Sequence, residues 1–314
     1  LEVKNDKAKK PLVSIVMCTY NGEAYLQQQL ASIAAQTYAA HEFVIVDDAS
    51  TDSTWSLLCT WKEAYNNTRL YRNEENIGFN KNFEKAISLA TGEYISIADQ
   101  DDVWLPSKTQ LLVAALLSDP ENMLSHCRSA SMRNDRVSYR AKRLHRHFEG
   151  NETRSLVFFN HINGHGMMFR RVLLSHIIPV PGRMFYDWWI AVIATSLGKI
   201  VSVDEPLVHH RLHETNAHFT TAKKKEPDHD EVIDYILGSS VLNTRTRVFA
   251  QQLNSLIKKR IASEKKFYRP LFLFLFKHRQ VIFGHKKRFI PVFSYLKNAI
   301  KYAKAAYRDS GISF

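Results

Sequence analysis

The sequence predicts an α/β fold built on a mostly parallel sheet, and three observations carry that reading. Strand, polar loop and helix follow one another twice within the first 65 residues, the order that generates parallel strands with right-handed crossovers. The strand segments, 12–18 and 43–46, are apolar but for Ser14 and do not alternate, as expected where both faces are covered. A further apolar run at 94–98 stops at Asp99-Gln-Asp-Asp-Val-Trp104. Three carboxylates within four residues at a strand end repel one another unless a hard cation or a donor-rich ligand sits among them. In open α/β sheets ligands gather beyond the carboxyl ends of the strands, where this cluster falls. Taken alone, an acidic turn that opens the next helix is the commoner reading.

The first strand ends in Thr19-Tyr-Asn-Gly22, a turn signal, and residues 25–36 then read as a helix with Leu26, Leu30 and Ile33 inward. The second strand runs into Asp47-Asp-Ala-Ser-Thr-Asp52; Ser50 or Asp52 can cap a helix whose apolar face includes Trp55, Leu58 and Trp61. A third, short unit comprises Leu70-Tyr71, a loop over 73–78, and a helix carrying Phe79, Phe83, Ala86 and Ile87 that Gly92 is expected to stop. Beyond a helix over 106–117 the chain reads as less regular. Its basic segment, 133–147, is expected to be a mobile surface region. Order returns at Gly164-His-Gly-Met-Met-Phe169, where small residues suggest a strand approached closely by another backbone or a ligand. Phe185-Tyr-Asp-Trp-Trp189 opens a helix to Leu197, placing Asp187 in the first turn, where the positive helix end favours a carboxylate. A strand at 199–203 follows, then Pro206 and His209-His-Arg-Leu-His213.

The net charge of +12 is unevenly placed. Residues 223–314 hold 20 Lys/Arg against 7 Asp/Glu, whereas the first 222 hold 23 against 24. The basicity belongs to a C-terminal, helical extension beyond a linker at 223–227. Three cysteines without a CxxC pair read as free thiols in a reducing compartment. No signal peptide or membrane-spanning run is visible, so a cytoplasmic location is expected. No dinucleotide fingerprint, P-loop or Gly-x-Ser-x-Gly elbow occurs, which sets aside the functions those motifs carry. A nucleotide diphosphate held through a divalent cation suits the acidic edge better than a bare anion, because carboxylates repel phosphate unless a metal intervenes.

The motifs, in order, are Val13-Ser-Ile-Val-Met-Cys-Thr-Tyr-Asn-Gly22, Val46-Asp-Asp-Ala-Ser-Thr-Asp52, Asn76-Ile-Gly-Phe-Asn80, the segment from Gly92 to Trp104, Gly166-Met-Met-Phe169, Asp187-Trp-Trp189 and Arg211-Leu-His213. Over residues 11–218 this succession resembles the family 2 glycosyltransferases of the GT-A fold, and most of all their rhamnosyltransferase-like group. The resemblance implies a GT-A domain over 11–222, followed by the extension at 223–314. It implies inverting transfer of a sugar, rhamnose from its deoxythymidine diphosphate by group resemblance, from a nucleotide diphosphate donor to a hydroxyl of a growing, lipid-linked glycan. Thr19, Asn21, Glu23 and Asn76 would line the nucleotide pocket, Asp48 would meet the base and Asp99 the ribose. Asp101 would hold Mg2+ or Mn2+ on the diphosphate and Asp187 would be the base. His213 would complete the metal site or contact phosphate, with Arg211 beside it. His209-His210 stands where the family more often has an aromatic start, which leaves open which histidine is used.

Bland readings stand beside several of these. Asp47 can simply close its own loop, Asp102 can cap the next helix, His165 can be a satisfied polar residue near the site, and Trp188 and Trp189 suit the core better than a sugar platform. A sugar nucleotidyltransferase would use a similar acidic edge, but lacks here the Gly-rich basic loop that grips a triphosphate. Nucleic acid is not an expected partner, since the acidic edge repels a phosphate backbone despite the basic tail. In that tail Phe289, Val292, Phe293, Leu296, Ile300, Ala303 and Tyr307 recur at helical spacing beside Lys297, Lys301, Lys304 and Arg308. This pattern suits either peripheral binding to the anionic inner face of a membrane or packing on a second subunit.

Overall fold

The computed structural model describes residues 10–139, 148–156, 160, 162–181 and 184–213, with isolated positions between 244 and 255. The chain divides into two compact units, residues 1–151 with 161–214, and residues 152–160 with 215–314. In the second, Thr153–Leu156 form a 3-10 turn and the Arg154 guanidinium lies 6.0 Å from the centre of the buried Phe249 ring. The expected linker, the boundary at 222 and the amphipathic stretch at 289–308 lie outside the described residues, as does 140–147 of the basic segment.

The first unit carries a nine-stranded sheet. Its parallel half is β1 (Val13–Thr19), β2 (Glu42–Asp47), β3 (Thr68–Arg72) and β4 (Tyr94–Ala98), set side by side as β3-β2-β1-β4. Every residue of β1, β2 and β4 is buried, which explains why their sequences are largely apolar and do not alternate; the polar exceptions, Ser14, Thr19, Glu42, Asp47 and Ser96, are buried with them. The connecting helices α1 (Glu23–Ala34), α2 (Thr54–Ala64) and α3 (Phe79–Ser88) contribute Leu26, Leu30, Ile33, Leu58, Phe83 and Ile87 to the buried core. After β4 come β5 (Val103–Trp104), α4 (Lys108–Leu117), β6 (Asn122–Arg133) and β7 (Arg136–Ser138). The chain continues through β8 (Met167–Arg170), α5 (Leu174–Ile177), α6 (Tyr186–Leu197) and β9 (Lys199–Arg211). Beyond β4 the sheet runs β8-β6-β9-β5, with β8 antiparallel to both neighbours, β6 parallel to β9, and β7 a hairpin partner of β6.

Three local expectations need correction. The stretch read as irregular opens with β6, a twelve-residue strand whose Ser and His residues hide it from propensity. Those polar groups are satisfied internally: Ser125 donates to the Leu112 carbonyl at 3.0 Å, and His126 Nε2 lies 2.8 Å from the Phe148 carbonyl. Its tip turns through Asn134 and Asp135, both at positive φ, the backbone that suits a tight hairpin and that these two residues tolerate. The strand expected at 199–203 runs on to Arg211, because a break in the β6 register next to Pro206 absorbs the missing N–H. Gly92 does not stop α3, which ends at Ser88; a Cβ there would lie 2.7 Å from the Ser14 backbone nitrogen, so glycine allows close approach to β1.

Glu42 ties the lower edge of the parallel half together. It is buried, and its carboxylate accepts from Ser14 Oγ (2.6 Å), Thr91 N (2.6 Å), Thr91 Oγ1 (2.8 Å) and Arg69 Nη1 (2.9 Å). Burial opposes its ionisation, but these donors outweigh it and lower the pKa from 4.5 to about 2. Since the folded value lies below the unfolded one, the carboxylate stabilises the fold above pH 4.5, and that contribution is lost as pH falls toward 2. The shift corresponds to roughly 3 kcal/mol. Glu42→Gln is expected to lower stability at pH 7 by on the order of that amount and to flatten the decline in stability below pH 4.5. Urea denaturation of both proteins at pH 7 and pH 3 checks this, and parallel pH profiles for the two would refute it.

Candidate active site

Thr19, Asp47, Asp48 and the acidic cluster all emerge at the carboxyl ends of β1, β2 and β4. Hydrogen bonds join the first two loops. Asn21 adopts φ +46° and accepts from Thr51 N at 2.8 Å, Glu23 accepts from Ser53 N at 2.8 Å, and Thr19 Oγ1 donates to Asp47 at 2.9 Å. Asp47 also accepts from Ser50 N and pairs with Arg72, so it closes its own loop. Neither expected cap takes that position at α2: Ser53 precedes the helix, while Asp52 accepts from Thr54 N at 3.0 Å. Asp48 is buried and holds the loop after β3, accepting from Asn73 Nδ2 (2.7 Å), Ile77 N (3.0 Å) and Gly78 N (2.9 Å). Asn76, exposed on that loop, accepts from Gly78 N.

Between these loops and the acidic cluster lies Cys18, buried on β1. Burial pushes its thiol well up, and the charges of Asp48 and Asp99 on either side add to the effect. The backbone of the cluster is clamped by two glutamines that sequence reasoning missed. Gln29 Nε2 donates to the Asp99 carbonyl at 2.7 Å, and Gln100 pairs with both the N–H and the carbonyl of Tyr20 at 2.9 and 3.0 Å.

The carboxylates meet four basic side chains, three of them delivered by the end of β9. His213 Nε2 lies 2.7 Å from Asp101 Oδ2. Burial first, then Asp102 and Asp99, raise the Asp101 pKa to about 6, partly offset by His213. Asp102, wholly buried, caps no helix: its Oδ1 accepts from Arg211 N at 3.0 Å and lies 3.0 Å from His210 Nδ1, while Oδ2 has no hydrogen-bond partner. Arg211 is also buried. It donates to the Asp101 carbonyl (2.9 Å), to Asp135 at the β6–β7 tip (2.8 Å) and to Gln28, and it covers the Tyr25 ring. His165 places Nδ1 3.5 Å from Asp99 and 3.6 Å from Asp102, with Nε2 2.7 Å from Ser129 Oγ. Among these histidines His213 meets Asp101, His210 meets Asp102, and His209 meets Tyr139 at 3.1 Å.

Lys108 is a further residue the sequence reading passed over. It is fully buried, 3.0 Å from the centre of the Trp104 ring, and its ammonium makes no hydrogen bond. Burial lowers its pKa to about 7, against the pull of Cys127, Asp102 and Asp99. Its place on one helix face with Leu112 and Leu116, both buried, was the available signal.

Asp187 stands in the first turn of α6, as expected, and its carboxylate accepts from Trp188 N (2.7 Å) and Gly164 N (3.3 Å). That second contact sets it against the segment that carries His165. A Cβ at Gly164 would lie 2.2 Å from Tyr186 Oη, so the approach requires glycine. Trp188 and Trp189 are buried, and Trp189 Nε1 donates to the Ile177 carbonyl.

Asp101 and His213 fit a divalent cation: a carboxylate crowded by two others and an imidazole already 2.7 Å away form the oxygen and nitrogen donor set that Mn2+ accepts. Asp102, His165 and His210 also offer ligand atoms within 4.8 Å of one another. Their rings, however, stack at 4.6 Å and 16°, and near-parallel stacked rings cannot both aim an in-plane lone pair at one ion.

Known proteins resemble this chain in sequence and in fold. It is 29% identical over 223 residues to an uncharacterized glycosyltransferase of Nostoc sp., covering 67% of each. It is 34% identical over 101 residues to TuaG of Bacillus subtilis, provisionally named for teichuronic acid biosynthesis, covering 32% of this chain and 40% of that one. Staphylococcus aureus TarS, solved with UDP-GlcNAc, has the same fold, with a TM-score of 0.63 at 19% identity over 94% of this chain and 88% of that one. So does the mannosyltransferase PcManGT of Pyrobaculum calidifontis, solved with GDP-Man and Mn2+, with a TM-score of 0.56 at 19% identity over 96% and 87%. Residues 14–177, more than half the chain, match the family described as Glycosyl transferase family 2, and the chain belongs to that family.

Proposed function

We propose that this glycosyltransferase moves a sugar, with inversion, from a nucleotide diphosphate donor to a hydroxyl of a bacterial surface glycan. One observation carries the reading: the chain brings Asp101 from the end of β4 to His213 beyond β9 and Asp99 to His165, with Asp187 held against the segment that carries His165. In this reading Thr19, Asn21, Glu23, Asp48 and Asn76 shape the nucleotide pocket and Asp99 faces the ribose. Asp101 and His213 would hold Mn2+ or Mg2+, which supplies positive charge to the departing diphosphate. Asp187, oriented by two backbone N–H groups, takes the acceptor proton as the new bond forms. The surface-glycan acceptor is supported by the likeness to TuaG.

Rhamnose as the sugar and a lipid-linked acceptor rest on the family resemblance, and docking of the tail on an anionic membrane rests on its apolar and cationic sequence pattern. Among the described residues no helix is long and apolar enough to cross a membrane. Incubation with a panel of nucleotide sugars and Mn2+ tests the reaction class. Free nucleoside diphosphate supports glycosyl transfer, and pyrophosphate would refute it.

Two substitutions separate metal holding from chemistry. Asp101→Asn should weaken Mn2+ binding by at least ~10-fold, since an amide keeps the shape but loses the charge. Calorimetric titration measures this, and unchanged affinity would remove Asp101 from the metal site. Asp187→Asn should cut kcat by ~10²-fold while donor affinity stays within ~2-fold. If affinity and turnover fall together, Asp187 is a structural or nucleotide-contacting group.

A further inference from the structure

α6 starts without a cap of its own. The first turn of a helix leaves its backbone N–H groups without partners inside the helix, and Phe185, at the cap position, has no side-chain oxygen to accept from them. The partner for Tyr186 N comes from α3 instead: Asn80 Oδ1 accepts from it at 3.0 Å, across 106 positions of sequence. The other end of the same amide, Nδ2, donates to the Met184 carbonyl at 2.8 Å. A backbone N–H can only donate and a carbonyl only accept, so the two contacts fix which way the amide faces. Rings pack around this bridge: Phe83 stacks on Tyr186 at 4.2 Å, and Phe79 lies 5.7 Å from Phe185. Glu84, further along α3, accepts from Val180 N at 2.7 Å and ties down the earlier part of the same segment.

α3 is itself tied to the ends of β2 and β3. Gly78, at φ +84°, immediately precedes the helix, and Asp48 accepts from its N–H and from that of Ile77. Asn82 donates to the Val46 carbonyl at 3.0 Å and accepts from Asn73 at 3.0 Å. One planar amide therefore joins the start of α3, anchored on Asp48, to the residue directly before Asp187. We propose that Asn80 is a positioning residue for the reaction, fixing the first turn of α6 so that the Asp187 carboxylate stands in register with the bound donor. The inference rests on the nucleotide-sugar reading above, with Asp187 as the base, and deepens it by naming what aligns that base with the nucleotide. A base that takes a proton from an acceptor hydroxyl tolerates little displacement. Apolar packing of rings is non-directional, whereas the hydrogen bonds to Met184 and Tyr186, on either side of Phe185, specify one placement.

A double-mutant cycle on the full chain separates positioning from general support of the fold. Asn80→Ala, Asp187→Asn and the double variant are compared with wild type, using whichever of UDP-GlcNAc, GDP-mannose and dTDP-rhamnose wild type cleaves fastest with Mn2+. Release of nucleoside diphosphate gives kcat, and calorimetric titration of the matching nucleoside diphosphate gives affinity. Asn80→Ala should lower kcat by ~10-fold to 100-fold, the scale for misplacing a reacting group by about 1 Å, with affinity within ~2-fold of wild type. Because Asn80 acts through Asp187, the double variant should be no more than ~2-fold slower than Asp187→Asn alone. Asn80→Asp, which keeps an acceptor for Tyr186 N, goes through the same cycle, so that a failure of the alanine variant to fold leaves the comparison intact. It should lose less than the alanine variant. An unchanged kcat in the Asn80 variants overturns the inference, as does a loss that multiplies with that of Asp187→Asn, which would make Asn80 a support of the fold at large. If wild type cleaves none of the three donors, or Asp187→Asn is as active as wild type, the functional reading itself fails, and this inference with it.

Discussion

Crowding of carboxylates at the end of β4 is the constraint to which the rest of the site answers. Asp99, Asp101 and Asp102 lie in surroundings that raise the pKa of the first two, so the fold must bring opposite charge to them or leave them neutral. It brings charge by sheet topology. β9 runs beside both β5 and β6, and this placement lets a single strand end deliver His210, Arg211 and His213 to residues more than a hundred positions earlier. The antiparallel β8, wedged between β4 and β6, adds His165 from the turn before it. The mixed half of the sheet is thus the part that neutralises what the parallel half exposes.

The parallel half was legible in sequence because its signals are local. Residues 12–18, 43–46 and 94–98 are apolar runs ended by polar loops, and both strands and loops fall where that pattern puts them. The mixed half was not legible. β6 carries Ser125, His126 and Ser129 inside the sheet, and each looks like loop chemistry until its distant partner is known. β9 passes through Pro206, which reads as a terminator unless the register break is visible.

The site divides in the same way. Asp99, Asp101 and Asp187 announce themselves as charges at the starts and ends of elements. His213 joins them through family resemblance. Which histidine meets which carboxylate depended on the register of β9 against β5 and β6, a non-local quantity that no spacing in the chain encodes. Gln29, Gln100 and Lys108 were overlooked for a related reason: a glutamine on a helix or in a turn is ordinarily solvated, and a lysine is almost never sealed in a core. The burial of Gln29 and Lys108 and the clamp of Gln100 on Tyr20 are properties of the assembled chain.

The placement of Cys18 has a practical consequence for chemical labelling. Thiol reagents attack the thiolate, and this thiol lies inside the sheet between two carboxylates that oppose its formation. Cys127 is shielded by the same kind of burial, its pKa raised to about 11. Of the three cysteines this leaves Cys59, half-buried on α2 and five residues past Thr54, about 7 Å along the helix from the loop that meets Asn21 and Glu23. A fluorophore coupled through a maleimide would therefore attach at one place, near the loops that carry Asn21 and Asp52 and outside the acidic cluster, and the native sequence already supplies the handle.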